Sequence, residues 1–203
     1  MGLSIHYRGR LKSPDLISSI TEELTDICRS LGWESGCLGE DFSRENTSRL
    51  VHTGKGARIT GHLPLKGVGI SPGQGCEGIS FYFDRDGNLI SPLMMAISGP
   101  VKGDLPWAAV KMQFAPLDIH LTIIELFRYL KKKYFEIFEV EDEGSYWETG
   151  DEMLLKKKME FLAGKIDAFA RMLSEAAAVA PGISPHALAD KIEELLRDRW
   201  DEI

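Results

Sequence analysis

The chain has 203 residues, of which 43% are hydrophobic and 27% charged, and its formal net charge is −7. This length buries a sizeable core as one domain with an appendage, and the composition excludes the disordered class, which combines few apolar residues with a high net charge. The acidic balance argues against a general nucleic-acid binder, because neutralising phosphate needs an excess of Lys and Arg.

The chain opens with a strand and a helix. Residues 3–10 alternate between apolar and polar side chains, which is typical of a strand with one buried face. Ser13 is predicted to cap a helix that begins at Pro14. Apolar side chains then recur at helical spacing until Gly32 ends the helix.

The following segment gives weaker signals. Residues 33–77 are rich in Gly, Ser and Pro, which predicts loops with short extended pieces at 57–65 and 67–70. A β-hairpin is predicted next, with its turn at Asp86 and Gly87.

Residues 109–140 are predicted to form a strand, a helix and a second strand. Pro116 opens the helix, which runs to about Tyr134. The two strands of such a unit are expected to be parallel. Because successive helical residues turn by about 100°, His120 is predicted near the middle of the face that points to the core.

An acidic and aromatic loop at 141–148 leads into a long helix. Thr149 and Glu152 have the spacing of a capping box. Apolar residues at 155–173 recur at steps of four and three, which is a narrow seam suited to another helix. A second apolar stripe at 188–196 predicts a helix that folds back as a hairpin.

These elements predict an α+β (mixed α/β) fold. Residues 1–150 are expected to form a mixed β-sheet packed by two helices, and residues 151–203 a C-terminal helical hairpin. The hairpin packs on this sheet or forms a homodimer with a second copy, and the sequence favours neither arrangement.

Several features favour the cytosol. The first residues lack the basic start and apolar stretch of a secretory signal, and no apolar run approaches the roughly 18 residues that span a bilayer. Cys28, Cys37 and Cys76 are odd in number and form no C-x-x-C pair, which disfavours a disulfide framework and a zinc finger. We therefore predict a cytoplasmic protein with no membrane partner.

A site is predicted from topology, because the sequence contains no phosphate loop, dinucleotide fingerprint, nucleophile elbow or paired-histidine zinc motif. Ligands of α/β units bind beyond the carboxyl ends of parallel strands. The loops at 115–120 and 141–151 emerge together at that end of the 109–140 unit. If the first strand is also parallel, Arg8 and Arg10 reach the same edge.

These loops define a hypothetical catalytic crevice. His120 is the candidate general acid or base, because the ordinary pKa of histidine lies near neutral pH, and Glu143 and Glu148 are its candidate catalytic carboxylates. The candidate substrate-binding residues are Arg8 and Arg10 for an anionic group, Tyr146 and Trp147 as walls, and Asp151. An alternative is that the carboxylates and the histidine hold Mg²⁺ or Mn²⁺, but their spacing matches no metal motif. No metal and no other cofactor is predicted.

Each candidate also has a structural interpretation. A histidine on a core-facing helix face is commonly hydrogen-bonded to the backbone or to a carboxylate. Asp151 suits the first turn of a helix, and Tyr146 and Trp147 suit the covering of an apolar patch. Arg8 and Arg10 are then solvated residues of a strand.

Residues 7–9 (Tyr-Arg-Gly), residues 113–115 (Gln-Phe-Ala) with His120, and residues 142–151 resemble a family of uncharacterised bacterial proteins without an assigned activity. The resemblance covers the sheet-forming part of the chain and not the C-terminal hairpin. It implies a bacterial cytosolic protein and supplies no catalytic residues.

Two functions fit these predictions. The first is a cytosolic binding or interaction protein, and the alternative is a hydrolase of a small anionic molecule in the crevice of His120 and residues 141–151. A weaker option is single-stranded RNA binding on a sheet face. The net acidity disfavours it, so we expect no nucleic-acid partner.

Overall fold

The computed structural model describes residues 3–54, 56–73 and 75–179. The chain divides into two compact units, residues 1–156 and residues 157–203. The strands are β1 (Ser4–Leu11), β2 (Glu34–Gly39), β3 (Arg49–Thr53), β4 (Gly56–Thr60), β5 (Lys66–Ser71), β6 (Ile79–Phe83), β7 (Ala108–Lys111) and β8 (Phe135–Asp142). The helices are α1 (Leu16–Leu31), α2 (Pro92–Ser98), α3 (Leu117–Tyr134), α4 (Tyr146–Thr149) and α5 (Glu152–Val179).

The predicted α+β class is confirmed, but the predicted single mixed sheet is wrong. The strands form three small sheets, in the orders β7-β1-β8, β2-β5-β6 and β3-β4, and all paired strands are antiparallel. β7 and β8 run parallel to each other, as predicted, because both are antiparallel to β1. They are not neighbours, since β1 lies between them.

An aromatic core lies under the first sheet. The Tyr7 ring of β1 lies 4.9 Å from the Phe127 ring of α3, and Phe127 meets the Phe138 ring of β8 edge-on at 5.6 Å. All three side chains are buried. The Tyr7 hydroxyl donates to the Ser80 carbonyl and accepts from the Ser80 amide, at 3.1 and 2.9 Å. This exchange ties the first sheet to the second through β6.

The predicted turn at Asp86 and Gly87 is confirmed. One Asp84 carboxylate oxygen accepts the backbone amides of Asp86 and Asn88, and Gly87 adopts a φ of 78°. The second strand expected after this turn is only a short bridge opposite Phe83 and Arg10. α2 follows directly and was not predicted.

The helix boundaries agree with the sequence patterns to within a few residues. α1 begins at Leu16 with Asp15, not Ser13, at the cap position. Its left-handed Gly32 ends it as predicted, at φ 70°. α3 begins after Pro116 and ends at Tyr134, as predicted.

The C-terminal part of the chain is only partly described. α5 runs to Val179, past the end of the apolar seam predicted at 155–173. The second helix of the predicted hairpin lies outside the described residues, and a homodimer through these helices stays a prediction. Among the described residues, no helix combines the length and the apolar character needed to cross a membrane.

The three cysteines differ in accessibility, which gives a first test of this fold. Cys28 is buried, and burial raises its pKa above the ordinary value for a thiol. Burial, and to a smaller extent the negative charge of Glu77, raises the pKa of Cys76 to about 11. Cys37 is exposed. Since the thiolate is the reactive species, we expect a thiol reagent at pH 8 to modify Cys37 rapidly, the partly buried Cys76 much more slowly, and Cys28 only after denaturation. A rapidly modified thiol in the native Cys37→Ser variant would contradict this fold.

Candidate functional site

The loop between β8 and α5 is organised around the carboxylate of Asp142. One oxygen of Asp142 accepts the Gly144 amide at 2.8 Å and the His120 Nε2 at 3.0 Å. The other accepts the amides of Tyr146 and Trp147 at 2.8 and 3.0 Å. Both oxygens are thus used to fix the loop backbone and the short helix α4. We call Asp142, His120 and these three amides the carboxylate clamp.

His120 lies where the sequence predicted, close to the loop, but it is sealed. The side chains of His120 and Asp142 are both 0% exposed. Nδ1 of His120 is the one buried side-chain nitrogen or oxygen without a hydrogen-bond partner in the described part of the chain. A bound molecule therefore has no direct access to this imidazole, and the geometry gives His120 a positioning role.

The clamp holds Asp142 in its ionised form. Burial raises the pKa of Asp142, but the hydrogen bond from His120 and those from the Trp147 and Gly144 amides outweigh burial and lower the pKa below its ordinary value. The carboxylate is therefore negative at neutral pH. A buried carboxylate of this kind stabilises the loop only while its N–H partners remain in place.

Gly144 and Ser145 form the tight turn that follows Asp142, and each has an unusual backbone position. A Cβ atom added to Gly144 would lie 2.5 Å from Cδ1 of Leu155, 2.9 Å from the Asp142 carboxylate and 3.1 Å from Cε1 of His120. Only glycine fits there without a shift of its neighbours. Ser145 follows with φ 64°, a left-handed conformation that is unusual for serine. The tight turn starting at Asp142 thus requires glycine at position 144.

Arg128 of α3 holds the other side of the loop. Its guanidinium donates to the carbonyls of Tyr146 and Trp147 at 2.9 and 3.0 Å. It also lies 5.2 Å from the centre of the Tyr146 ring. Asp142 of β8 thus accepts the amides of these two residues while Arg128 of α3 donates to their carbonyls. Tyr146 and Trp147 are half-buried by this contact.

An acidic hollow of about 400 Å³ lies on the outer side of this loop. Its charged lining is Glu141, Glu143 and Glu148 with the buried Asp142, and His6 of β1 also lines it. Glu143 accepts a hydrogen bond from the Ser4 amide at 2.6 Å. The structure thus brings the two predicted carboxylates Glu143 and Glu148 together at one surface. The carboxylates give this surface a negative potential that attracts cations.

The predicted position of Arg8 and Arg10 at this site depended on a parallel first strand, and that premise is wrong. β1 is antiparallel to β8, so its start, not its end, lies beside the loop. Arg8 pairs with Glu139 at 2.6 Å, and Arg10 pairs with Glu136 at 3.3 Å. The two guanidinium groups therefore lie further along the sheet, each beside a carboxylate.

Asp151 has a structural role in the observed fold. Its carboxylate accepts the Leu154 amide at 3.0 Å and so caps the start of α5. The Thr149 hydroxyl, predicted as the cap, instead accepts the amide of Asp151 at 3.1 Å. Asp151 therefore lies at the start of a helix, as its structural interpretation predicted.

A second charged cluster joins α1 to α3 and was not predicted. Glu23 accepts hydrogen bonds from the hydroxyls of Tyr129 and Tyr134 and from Lys133 Nζ, the last at 2.8 Å. Burial raises the pKa of Glu23, but these hydrogen bonds lower it by more, so the pKa is below the ordinary value for a glutamate. A surface hollow of about 650 Å³ borders the cluster. These hydrogen bonds connect α1 to α3 at the protein surface.

Sequence reasoning missed the residues that organise the site. Asp142 is followed two and four residues later by the amides it accepts, a spacing typical of carboxylates that cap turns. No local signal marks Arg128, because its partners are 18 and 19 residues away. Across the described residues, no group of three or more His, Cys, Asp or Glu is arranged to hold a metal ion.

The fold and the site define a class, an α+β protein with a buried carboxylate clamp beneath an acidic surface loop. No protein-family model matches this chain, and neither the curated proteins nor the solved structures contain a significant match.

Proposed function

We propose that the protein is a binding protein, and that the acidic hollow beside β8 receives a basic segment of a partner protein. The observation that carries this proposal is the state of Glu141 and Glu148. Both line the hollow, and neither side chain forms an ion pair or a hydrogen bond with the rest of the described chain. Their charges are available to a partner.

The rigidity of the loop supports binding. A surface that is already ordered loses less conformational entropy when a partner docks. The carboxylate clamp and Arg128 fix the backbone that carries Glu143 and Glu148. An exposed loop whose backbone is fixed in this way is suited to recognition, because binding residues are commonly presented on loops that a rigid scaffold positions.

A hydrolase of a small anion has less support. The only buried histidine–carboxylate pair among the described residues close to the hollow is sealed from solvent. The carboxylates that line the hollow repel an anionic substrate. We place the binding activity in the cytosol, which three cysteines without disulfide bonds favour.

The proposal is tested with a fluorescent octapeptide of alternating Lys and Ser. We expect the Glu141→Gln, Glu148→Gln double variant to bind it about fivefold more weakly in fluorescence anisotropy, because each exposed charge pair contributes about 0.2–1 kcal/mol. The matched control is the Asp104→Asn, Asp118→Asn double variant, which removes two exposed carboxylates elsewhere. Equal losses in the two double variants would show that only net charge matters and would overturn the proposal.

A further inference from the structure

The β3–β4 hairpin carries charge of the opposite sign to the rest of the chain. Residues 43–66 contain five Lys or Arg and a single Glu, whereas the whole chain has a net charge of −7. The average therefore conceals a local basic segment. We call residues 49–54 and 56–60 the basic ribbon; Lys55 lies outside the described residues.

Two arginines of the basic ribbon lie on one face. Val51 of β3 is directly opposite Arg58 of β4, and Arg49 is opposite Thr60. Since alternate residues of a strand share a face, Arg49, Val51 and Arg58 project to the same side. Arg49 and Arg58 are diagonal neighbours across the two strands, roughly 7–8 Å apart.

These two guanidinium groups have no partner in the described part of the chain. Arg49 and Arg58 form no ion pair and no hydrogen bond there. Five other arginines of the 1–156 unit form an ion pair or a hydrogen bond, namely Arg8, Arg10, Arg29, Arg85 and Arg128. Arg44, outside the ribbon, also forms neither, but its charge helps to lower the pKa of Asp41. Arg49 and Arg58 are therefore the two arginines of the ribbon that have no partner among the described residues.

The basic ribbon is fixed at its base and exposed towards its tip. Thr47 and His62 exchange hydrogen bonds at the base, with the Thr47 amide donating to the His62 carbonyl at 3.1 Å and the His62 amide donating to the Thr47 hydroxyl at 2.9 Å. α2 contacts both strands. The described residues from Val51 to Arg58 are all exposed. A two-stranded ribbon exposed in this way is not part of the core.

We propose that the basic ribbon binds duplex DNA, with Arg49 and Arg58 on backbone phosphates. The planar guanidinium of arginine matches the geometry of phosphate oxygens. The major groove of B-form DNA admits a two-stranded ribbon. Gly54 and Gly56 near the tip have no side chain to prevent a close approach to the backbone. This surface is separate from the acidic hollow, so either proposal can fail without the other.

The composition of the basic ribbon favours duplex DNA over other polyanions. Residues 48–61 contain no Phe, Tyr or Trp. Membrane-surface elements insert aromatic or long aliphatic side chains into the lipid interface. The long aliphatic side chains of the ribbon, Leu50 and Ile59, are half-buried and lie on the face opposite to the two arginines. Single-stranded nucleic acids are bound by stacking on aromatic rings. Duplex RNA has a deep and narrow major groove that excludes a ribbon.

The experiment is an anisotropy titration of a fluorescent 20-base-pair DNA duplex with the full chain at several KCl concentrations. Each phosphate contact contributes about −0.9 to the slope of log affinity against log salt. We expect the Arg49→Gln, Arg58→Gln double variant to reduce the magnitude of this slope by about two and to weaken binding in 50 mM KCl by about tenfold for each arginine.

The matched control is the Arg10→Gln, Arg29→Gln double variant, which removes two exposed charges that are ion-paired elsewhere. It should bind the duplex like the wild type. Equal weakening in both variants, no binding in 20 mM KCl, or tighter binding of vesicles with 30% phosphatidylserine than of DNA would each overturn the proposal. Equal affinity for single-stranded DNA or duplex RNA would contradict the choice of duplex DNA. Circular dichroism melting of both variants checks that neither has unfolded.

Discussion

Replacing Asp142 by Asn is expected to lower the free energy of unfolding by about 3 kcal/mol, because a buried carboxylate with four N–H donors is replaced by a group with one acceptor oxygen. The amide nitrogen of asparagine cannot accept a hydrogen bond, so the N–H groups that faced the lost oxygen are left without an acceptor. For a folded unit of this size, the loss corresponds to a decrease in Tm of roughly 6–12 °C. Urea unfolding followed by tryptophan fluorescence measures the loss directly, since Trp147 lies in the affected loop.

The matched control for this variant is Asp104→Asn, which removes one exposed carboxylate. Exposed substitutions of this kind usually change stability by no more than about 0.5 kcal/mol. If both variants unfold at the urea midpoint of the wild type, the carboxylate clamp does not stabilise the fold and does not order the loop for binding.

The wild type and the Asp142→Asn variant together test whether Asp142 is ionised in the folded chain. Its pKa is lower in the folded chain than in the unfolded chain, so its contribution to stability is fully present above the unfolded pKa and is lost as the pH falls through the folded pKa. An ordinary Asp pKa is about 3.9. We therefore expect the difference in unfolding free energy between wild type and Asp142→Asn to be large at pH 7 and to narrow below about pH 4. A difference that grows on acidification has the wrong sign for this mechanism.

Elements with strong periodicity could be predicted from the sequence. α1 and α3 were found to within two residues because their apolar stripes and their flanking Gly and Pro are local signals. β2 and β3 were not predicted as strands, because most of their residues are exposed and show no apolar alternation. The extended pieces predicted at 57–65 and 67–70 overlap β4 and β5. α2 is too short for a helical period to be recognised.

The tertiary arrangement of the site could be predicted only in part. The proximity of His120 to the 141–151 loop followed from the strand–helix–strand pattern and is confirmed by the hydrogen bond to Asp142. The insertion of β1 between β7 and β8 depends on pairings with residues more than one hundred positions away, which local patterns do not encode. That insertion moves Arg8 and Arg10 away from the loop and into ion pairs.

Replacing Gly144 by Ala is expected to cost about 3 kcal/mol or more, which is comparable to the loss of Asp142. The added methyl group would lie within 3.1 Å of Leu155, Asp142 and His120 at once. Overpacking in a filled core usually costs about 1–3 kcal/mol. Here the displaced neighbours also include both members of a buried hydrogen bond, so a shift that relieves the clash weakens the carboxylate clamp as well.

The control for Gly144→Ala is Gly39→Ala, where a Cβ atom meets nothing within 4 Å and where no left-handed φ is needed. We expect that variant to unfold within about 0.5 kcal/mol of the wild type. The double variant Asp142→Asn, Gly144→Ala should lose less stability than the sum of the two single losses, because both changes disrupt the same group of contacts. Additive losses would mean that Gly144 acts independently of the clamp, for example through Leu155 alone. Less-than-additive losses would mean that Gly144 and Asp142 stabilise the same arrangement of the loop. The absence of a side chain at Gly144 would then be needed for the hydrogen bonds that shape the acidic surface.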